Sequence, residues 1–354
     1  MTVLESRPPE AAGDDLSACV GELFVLGFRE PAVPGWLRDF SARRALGGVI
    51  LFDYDVGAGA YGRNVESPEQ VRGLCAEVAA LRSGPLVLVD QEGGKVRRLK
   101  ESLGFAPLPS AKAFARLPVD ERLRLARESF RELRDLGIAY NLAPVIDLDL
   151  NPANPDIGAV ERAYSDQEAT VRENAALVNR AAREAGLGLC LKHYPGLGGA
   201  ETNSHDTLTD LSHSLDERQL ALFHSLAGEM NGEAILVSHG IVGPWEAGRP
   251  VSMSARALGD LRARLPEVLL ISDDLQMQGL QQVLDTPTAC VEGLRAGLDW
   301  LLIGNNLLDE TGQAEALAEG VLAALRKDPG LEHHVRRAIA RVRRRKARFG
   351  FGAG

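Results

Sequence analysis

Eight short apolar runs recur along the chain, and most of the gaps between them carry a helical pattern. This alternation constrains the fold more than any other feature. The runs lie at 23–28 (LFVLGF), 48–52 (GVILF), 86–90 (LVLVD), 138–142 (IAYNL), 188–193 (GLCLKH), 234–239 (AILVSH), 268–273 (VLLISD) and 300–304 (WLLIG). They are β-branched and apolar on both faces, the pattern of parallel strands buried between two layers. Helical patterns fill 68–82, 120–136, 167–185, 216–231, 254–265, 286–296 and 313–326. Several open on a capping signal: Ser67 before Pro68, Ser165 with Glu168 three residues on, and Thr286 before Pro287. Several close on glycine, at Gly137, Gly186, Gly232 and Gly297.

Strands and helices alternating in one pass, with no linker, predict a single-domain α/β fold, a (β/α)8 TIM-type barrel. A dinucleotide-binding split would need a GxGxxG turn directly after an early strand, and none follows one directly. The polar stretch 1–15 reads as a flexible tail and 16–350 as the barrel. The long non-helical stretch 143–164 reads as a loop on the catalytic face.

Composition narrows the function classes. With 40 Lys+Arg against 49 Asp+Glu, the net charge is -9, which argues against a nucleic-acid partner. The eight basic residues from Arg336 to Arg348 are read instead as the solvent face of a closing helix. Val335, Ile339, Val342 and Phe349 would turn to the barrel. Cys19, Cys75, Cys190 and Cys290 are widely spaced and read as buried free thiols. No leader pattern and no membrane-spanning run is seen, so the expected location is cytoplasmic, without a membrane partner.

In such a barrel the C-terminal ends of the strands face the active site. Those ends carry Asp90, Asp147, Lys192, His193, His239 and Asp273. Burial alone does not explain ionisable groups at so many strand ends. After Asp90, the Gly93-Gly94 pair permits a tight turn that brings Arg98 back to the pocket, or else an Asp–Arg pair simply pins the loop. Arg162 on the long loop either points inward or bridges to a neighbouring acid. His205 lies on a glycine-rich loop, where it is either a mobile acid/base group or a solvated histidine. No HExxH, GxxxxGK[ST] or GxSxG motif occurs, and no metal or cofactor is expected. A carboxylate nucleophile, a loop histidine and several charged hydrogen-bonding groups fit glycoside hydrolysis.

The segments GGVILF, VDQEGGKVRR, NLAPVIDL, ERAYSD, KHYPGLGGAETNSH and ISDDLQM, in this order, resemble glycoside hydrolase family 3. They are most similar to its single-domain bacterial β-N-acetylglucosaminidase (β-N-acetylhexosaminidase) branch, and the resemblance runs from about residue 23 to the closing helix. It implies a retaining, exo-acting enzyme that releases terminal N-acetylglucosamine from a small carbohydrate, with a place in peptidoglycan recycling. Asp273 would be the nucleophile and His205 the acid/base, with Asn203 at the position of its partner. Asp90, Arg98, Arg162, Lys192 and His193 would bind the sugar, and His239 is placed with them.

Two positions depart from the family pattern. Leu197 replaces a second histidine, and Asn203 replaces the aspartate that orients the loop histidine. Losing that charge points to Glu201 or Asp206 as substitutes. It also leaves open altered specificity, transfer to phosphate, or a weakly active or inactive carbohydrate-binding protein. The low aromatic count, 10 Phe, 5 Tyr and 3 Trp, fits a small pocket that holds one sugar by charge rather than a long aromatic cleft.

Overall fold

The computed structural model describes residues 15–204, 207–230, 234–308 and 311–350. All eight apolar runs form strands, here labelled β1 (Phe24–Leu26), β2 (Gly48–Leu51), β3 (Leu86–Val89), β4 (Tyr140–Asn141), β5 (Gly188–Tyr194), β6 (Ala234–Val237), β7 (Leu269–Ser272) and β8 (Leu301–Ile303). They pair in parallel in chain order, and β8 returns to pair with β1. The ring closes between β7 and β8 through the bridge Ile271↔Trp300 and the bond from Ser272 N–H to Trp300 O (3.0 Å). The (β/α)8 barrel expected from the alternation is therefore the observed fold.

Period-two alternation is hidden inside the all-apolar strands. On β2 and β3, Ile50, Leu86 and Leu88 turn into the barrel, while Val49, Leu51, Val87 and Val89 pack against the surrounding helices. Tyr140 and Trp300, wholly buried and edge-to-face at 6.1 Å, fill the interior. One cluster thus fills the barrel and a larger one cements the helices around it.

The helices begin and end close to the expected positions, including Pro68–Ala79, Glu168–Ala185 and Thr286–Ala296. Ser67 caps the first as expected, accepting from Gln70 N–H. Two caps differ. The Thr286-Pro287 helix is capped by Asp285, whose carboxylate accepts from Thr288 N–H, because an anion suits the positive end of a helix better than a hydroxyl. Ser165 makes no capping box. Its hydroxyl accepts from Gln167 N–H while its carbonyl is taken by Asp149 N–H, so the chain turns helical only at Glu168. The helix Gly35–Arg44 was not marked by the sequence, because only Leu37, Phe40 and Ser41 of it are buried. Gly232 and residues 1–14 of the expected tail lie outside the described residues, and Asp15 caps the helix Leu16–Cys19.

The closing helix Pro329–Arg348 buries Val335, Ile339 and Val342, and Phe349 meets Tyr140 at 5.4 Å beneath the barrel. Its basic residues are not all in solvent. Arg341 is buried beside Asp299 (3.5 Å), and Lys346 is buried against Glu22 and the carbonyls of Leu46 and Ser83. Both neutralise acids that the barrel's lower end would otherwise bury unpaired. The four cysteines are buried thiols. No helix among the described residues is long and apolar enough to cross a membrane.

Candidate active site

A cavity of ≈340 Å³ opens at the C-terminal ends of the strands, over a floor that includes Ile50, Leu142, Leu236 and Leu302 from the barrel interior. Its charged walls come from strand ends that are remote in sequence. Asp90 follows β3 and meets Lys192 of β5, with Nζ–Oδ1 at 2.7 Å. The chain after Asp90 doubles back through a hairpin, Gln91–Gly93 with Val96–Arg97. Gly93 and Gly94 turn it at φ of 108° and 57°, and a Cβ on Gly93 would stand 2.1 Å from Pro109 O. The turn returns Arg98 to Asp90 (3.3 Å) with its guanidinium 5.3 Å from the Phe52 ring.

Glu92 is the group that sequence reasoning missed. It lies two residues beyond Asp90 on extended chain, and that alternation is the signal that could have placed it on the same side. Its carboxylate accepts two parallel bonds from Arg162 (2.7 and 2.8 Å) and is 2.6 Å from Lys192 Nζ. Arg162 also donates to His193 Nε2 (2.9 Å), and His193 Nδ1 lies 2.7 Å from Asp147. A guanidinium only donates and a carboxylate only accepts. The ring therefore carries its proton on Nδ1 and presents a lone pair at Nε2. Asp147 further accepts from Leu197 N–H (3.0 Å), which ties β5 to the loop that follows it.

The charges support one another. Burial acts to raise the Asp90 pKa, but Lys192 and Arg98 overcome it and hold the carboxyl well below its usual range. Glu92 follows the same logic: burial is outweighed by Arg162 and Lys192, and its pKa falls to about 2. Burial lowers the pKa of both Arg162 and Lys192, and the facing carboxylates reverse that and push both upward. The network stays ionised at neutral pH.

Across the cavity, Asp273 follows β7, with its N–H bonded to Val237 O (2.9 Å) and its Oδ1 accepting from Asp274 N–H (2.9 Å). Asp274 is more deeply buried. Its Oδ1 accepts from Gln276 N–H (3.0 Å) and Gly304 N–H (3.3 Å), and a Cβ on Gly304 would stand 2.5 Å from its Oδ2. Burial, reinforced by the charges of Asp273 and Asp90 and opposed by those two N–H groups, lifts its pKa from 3.8 to about 7.

A carboxyl with a raised pKa binds its proton more tightly when folded, so stability falls as pH rises between the two values. Between pH 3.8 and about 7 the loss should reach up to about 4 kcal/mol. Asp274→Asn imitates the protonated form. Urea denaturation between pH 5 and 8 should show this decline in the wild type and a flatter profile in the variant. Parallel profiles would refute the assignment.

The loop after β5 leaves Leu197 buried against the cavity, an apolar wall in place of a second histidine. His205 and Asp206 lie outside the described residues, and Glu201 is exposed. The carbonyl of Asn203 accepts from Thr207 N–H (3.1 Å). Next to it, Ser204 lines the cavity and donates its N–H to Asp156 at 2.7 Å. His239 is placed differently from the sugar-binding group it was expected to join. It is buried outside the cavity lining, accepting at Nδ1 from Ser252 Oγ (2.7 Å) and donating from Nε2 to Asp274 O (3.1 Å), where it braces the Asp273–Asp274 turn.

The glycosyl hydrolase family 3 N-terminal domain matches residues 36–344. A beta-hexosaminidase of Pseudomonas aeruginosa is 34% identical over 289 residues, covering 80% of each chain. Among solved structures, a glycoside hydrolase family 3 beta-N-acetylglucosaminidase from Paenibacillus sp. str. FPU-7 superposes with a TM-score of 0.85 at 27% identity. That match takes in 97% of this chain but 64% of the other. A beta-N-acetylhexosaminidase from Beutenbergia cavernae superposes with a TM-score of 0.79 at 25% identity, over 94% of this chain and 98% of that one.

Proposed function

The chain belongs to glycosyl hydrolase family 3, and on that premise we propose that it is a retaining, exo-acting β-N-acetylhexosaminidase. The observation that carries this reading is the opposition of Asp273 to an ionised Asp90–Lys192–Glu92–Arg162 network across one cavity. At ≈340 Å³ the cavity is near the small end of ligand sites, about 300–1,000 Å³, and suits one sugar rather than a chain. Asp90, Arg98, Arg162, Lys192 and His193 hold the hydroxyls and acetamide of the terminal residue. Arg98 Nε is buried without a partner, a donor left for the sugar.

Asp273 attacks the anomeric carbon while His205 gives a proton to the departing oxygen. The glycosyl–Asp273 ester is then hydrolysed by water, with His205 taking the proton back. The neutral Asn203 would by itself ease the approach of phosphate. Asp156, bonded to Ser204, puts negative charge back beside the loop and favours water as the acceptor. Turnover of peptidoglycan fragments in the cytoplasm is the use this substrate suggests, on family resemblance alone.

The test is the stereochemistry of the first product. Hydrolysis of a chromogenic β-N-acetylglucosaminide, followed by proton NMR in the first minutes, should show β-N-acetylglucosamine before mutarotation. The α-anomer would overturn retention. A rate that requires phosphate would overturn hydrolysis. A bound but unreacted sugar would leave only a carbohydrate-binding protein.

A further inference from the structure

The chain leaving β2 does not go directly to its helix. It first forms a small hairpin, Tyr54–Asp55 paired with Ala60–Tyr61, at the catalytic end of the barrel. It is firmly pinned. Asp55 accepts from Ala58 N–H (2.8 Å) and pairs with Arg63 (3.2 Å), whose side chain is fully buried. Asn306 from beyond β8 accepts from Val56 N–H (3.0 Å) and donates to Tyr54 O (3.0 Å).

On this rigid base the apolar side chains are left uncovered. Tyr54 and Val56 line the cavity, yet Val56 is 48% exposed and Tyr61 is 68% exposed. Tyr54 and Tyr61 are directly opposite in register, so their rings leave the same face of the hairpin and meet edge-to-face at 5.0 Å. Lys100, paired with Asp53, sits 4.0 Å from the Tyr61 ring centroid and holds the ring in place.

We propose that the Tyr54–Tyr61 pair is a leaving-group subsite, which stacks the pyranose ring of the second sugar in a β-linked substrate. This rests on the reading of the cavity as the seat of the terminal N-acetylhexosamine. When that sugar fills a cavity floored by the barrel core, the group on its anomeric oxygen lies toward the open mouth, where Tyr54 lines the wall and carries Tyr61 beside it. An ordered, exposed aromatic ring presents a large flat surface and loses little freedom on contact. The apolar C–H face of a pyranose is the complement of such a ring, while the charged groups already bind the first sugar. The enzyme thereby favours disaccharides and longer chains over substrates with small leaving groups.

The test compares kcat/KM for N,N′-diacetylchitobiose with that for N-acetylglucosaminyl β-fluoride, whose leaving group has no ring. In Tyr61→Ala the disaccharide-to-fluoride ratio should fall about tenfold, mainly through KM, as loss of a stacking contact predicts. Tyr61→Phe keeps the ring and should keep the ratio. A ratio in Tyr61→Ala within about twofold of the wild type, smaller than a stacking contact is worth, overturns the subsite. Failure of the wild type to cleave either substrate would instead overturn the hexosaminidase reading. Calorimetry with the disaccharide then decides the subsite: about tenfold weaker binding by Tyr61→Ala upholds it, and equal or undetectable binding by both proteins overturns it.

Discussion

Asp273→Ala should lower turnover of an aryl β-N-acetylglucosaminide by about 10⁴-fold or more, with the protein still folded. The side chain removed is the one assigned to form the covalent bond, and among the described residues no other cavity carboxylate can take its place. Asp90 and Glu92 are committed to Lys192, Arg98 and Arg162, and Asp274 is protonated until about pH 7. The fold should survive, because the substitution removes a like charge from beside Asp274. The Asp274 pKa should accordingly fall in the variant. Azide provides a positive signature. In the space left by the carboxylate it would attack the anomeric carbon of an activated substrate and release the aryl leaving group, giving the α-glycosyl azide. Residual activity near the wild-type level, or a β-azide, would remove Asp273 from the role of nucleophile.

Glu92→Ala should cost about 3–5 kcal/mol of stability as well as most of the activity. Arg162 is paired with this carboxylate, Lys192 divides itself between it and Asp90, and His193 takes its orientation from Arg162. Removing Glu92 leaves an excess of buried positive charge, which costs more than the intact pairs return in stability. The pH profile supplies an independent readout. Glu92 titrates at about 2 in the folded protein against an ordinary 4.5, so its stabilisation is complete above 4.5 and lost as pH falls towards 2. That window is worth up to about 3 kcal/mol, and Glu92→Ala should lose less stability across it than the wild type. A loss below about 1 kcal/mol by urea denaturation at pH 7 would show that the network is not structural in this way.

The site was partly legible in the chain. Asp90, Lys192, His193 and Asp273 were visible because each stands at the C-terminal end of an apolar run, where an ionisable residue has no packing role. Arg98 and Arg162 could be named but not aimed, since each lies on a loop whose course depends on distant contacts. Glu92 was not legible because it lies in a hairpin, where only the folded turn decides that its carboxylate meets Arg162. His239 carries the same signature as His193 and yet is turned away from the cavity to brace the Asp273–Asp274 turn. A strand end shows that a polar residue reaches the catalytic face, but not which way its side chain turns.

The sequence by itself determined the barrel. Strand runs, helix periods, the Ser67 cap and the glycine stops are local, each set within a few residues by backbone sterics and burial. Only the closed structure decided which charges meet. Asp90 and Lys192 are 102 residues apart and Glu92 and Arg162 are 70 apart. Their pairing comes from the ring of strands bringing the same end of each to one place. Closure likewise buried Lys346 on Glu22, 324 residues away, and stood the Tyr54–Tyr61 hairpin beside Asn306 at the rim. Such contacts depend on position in space, which a chain acquires only after its local elements have packed.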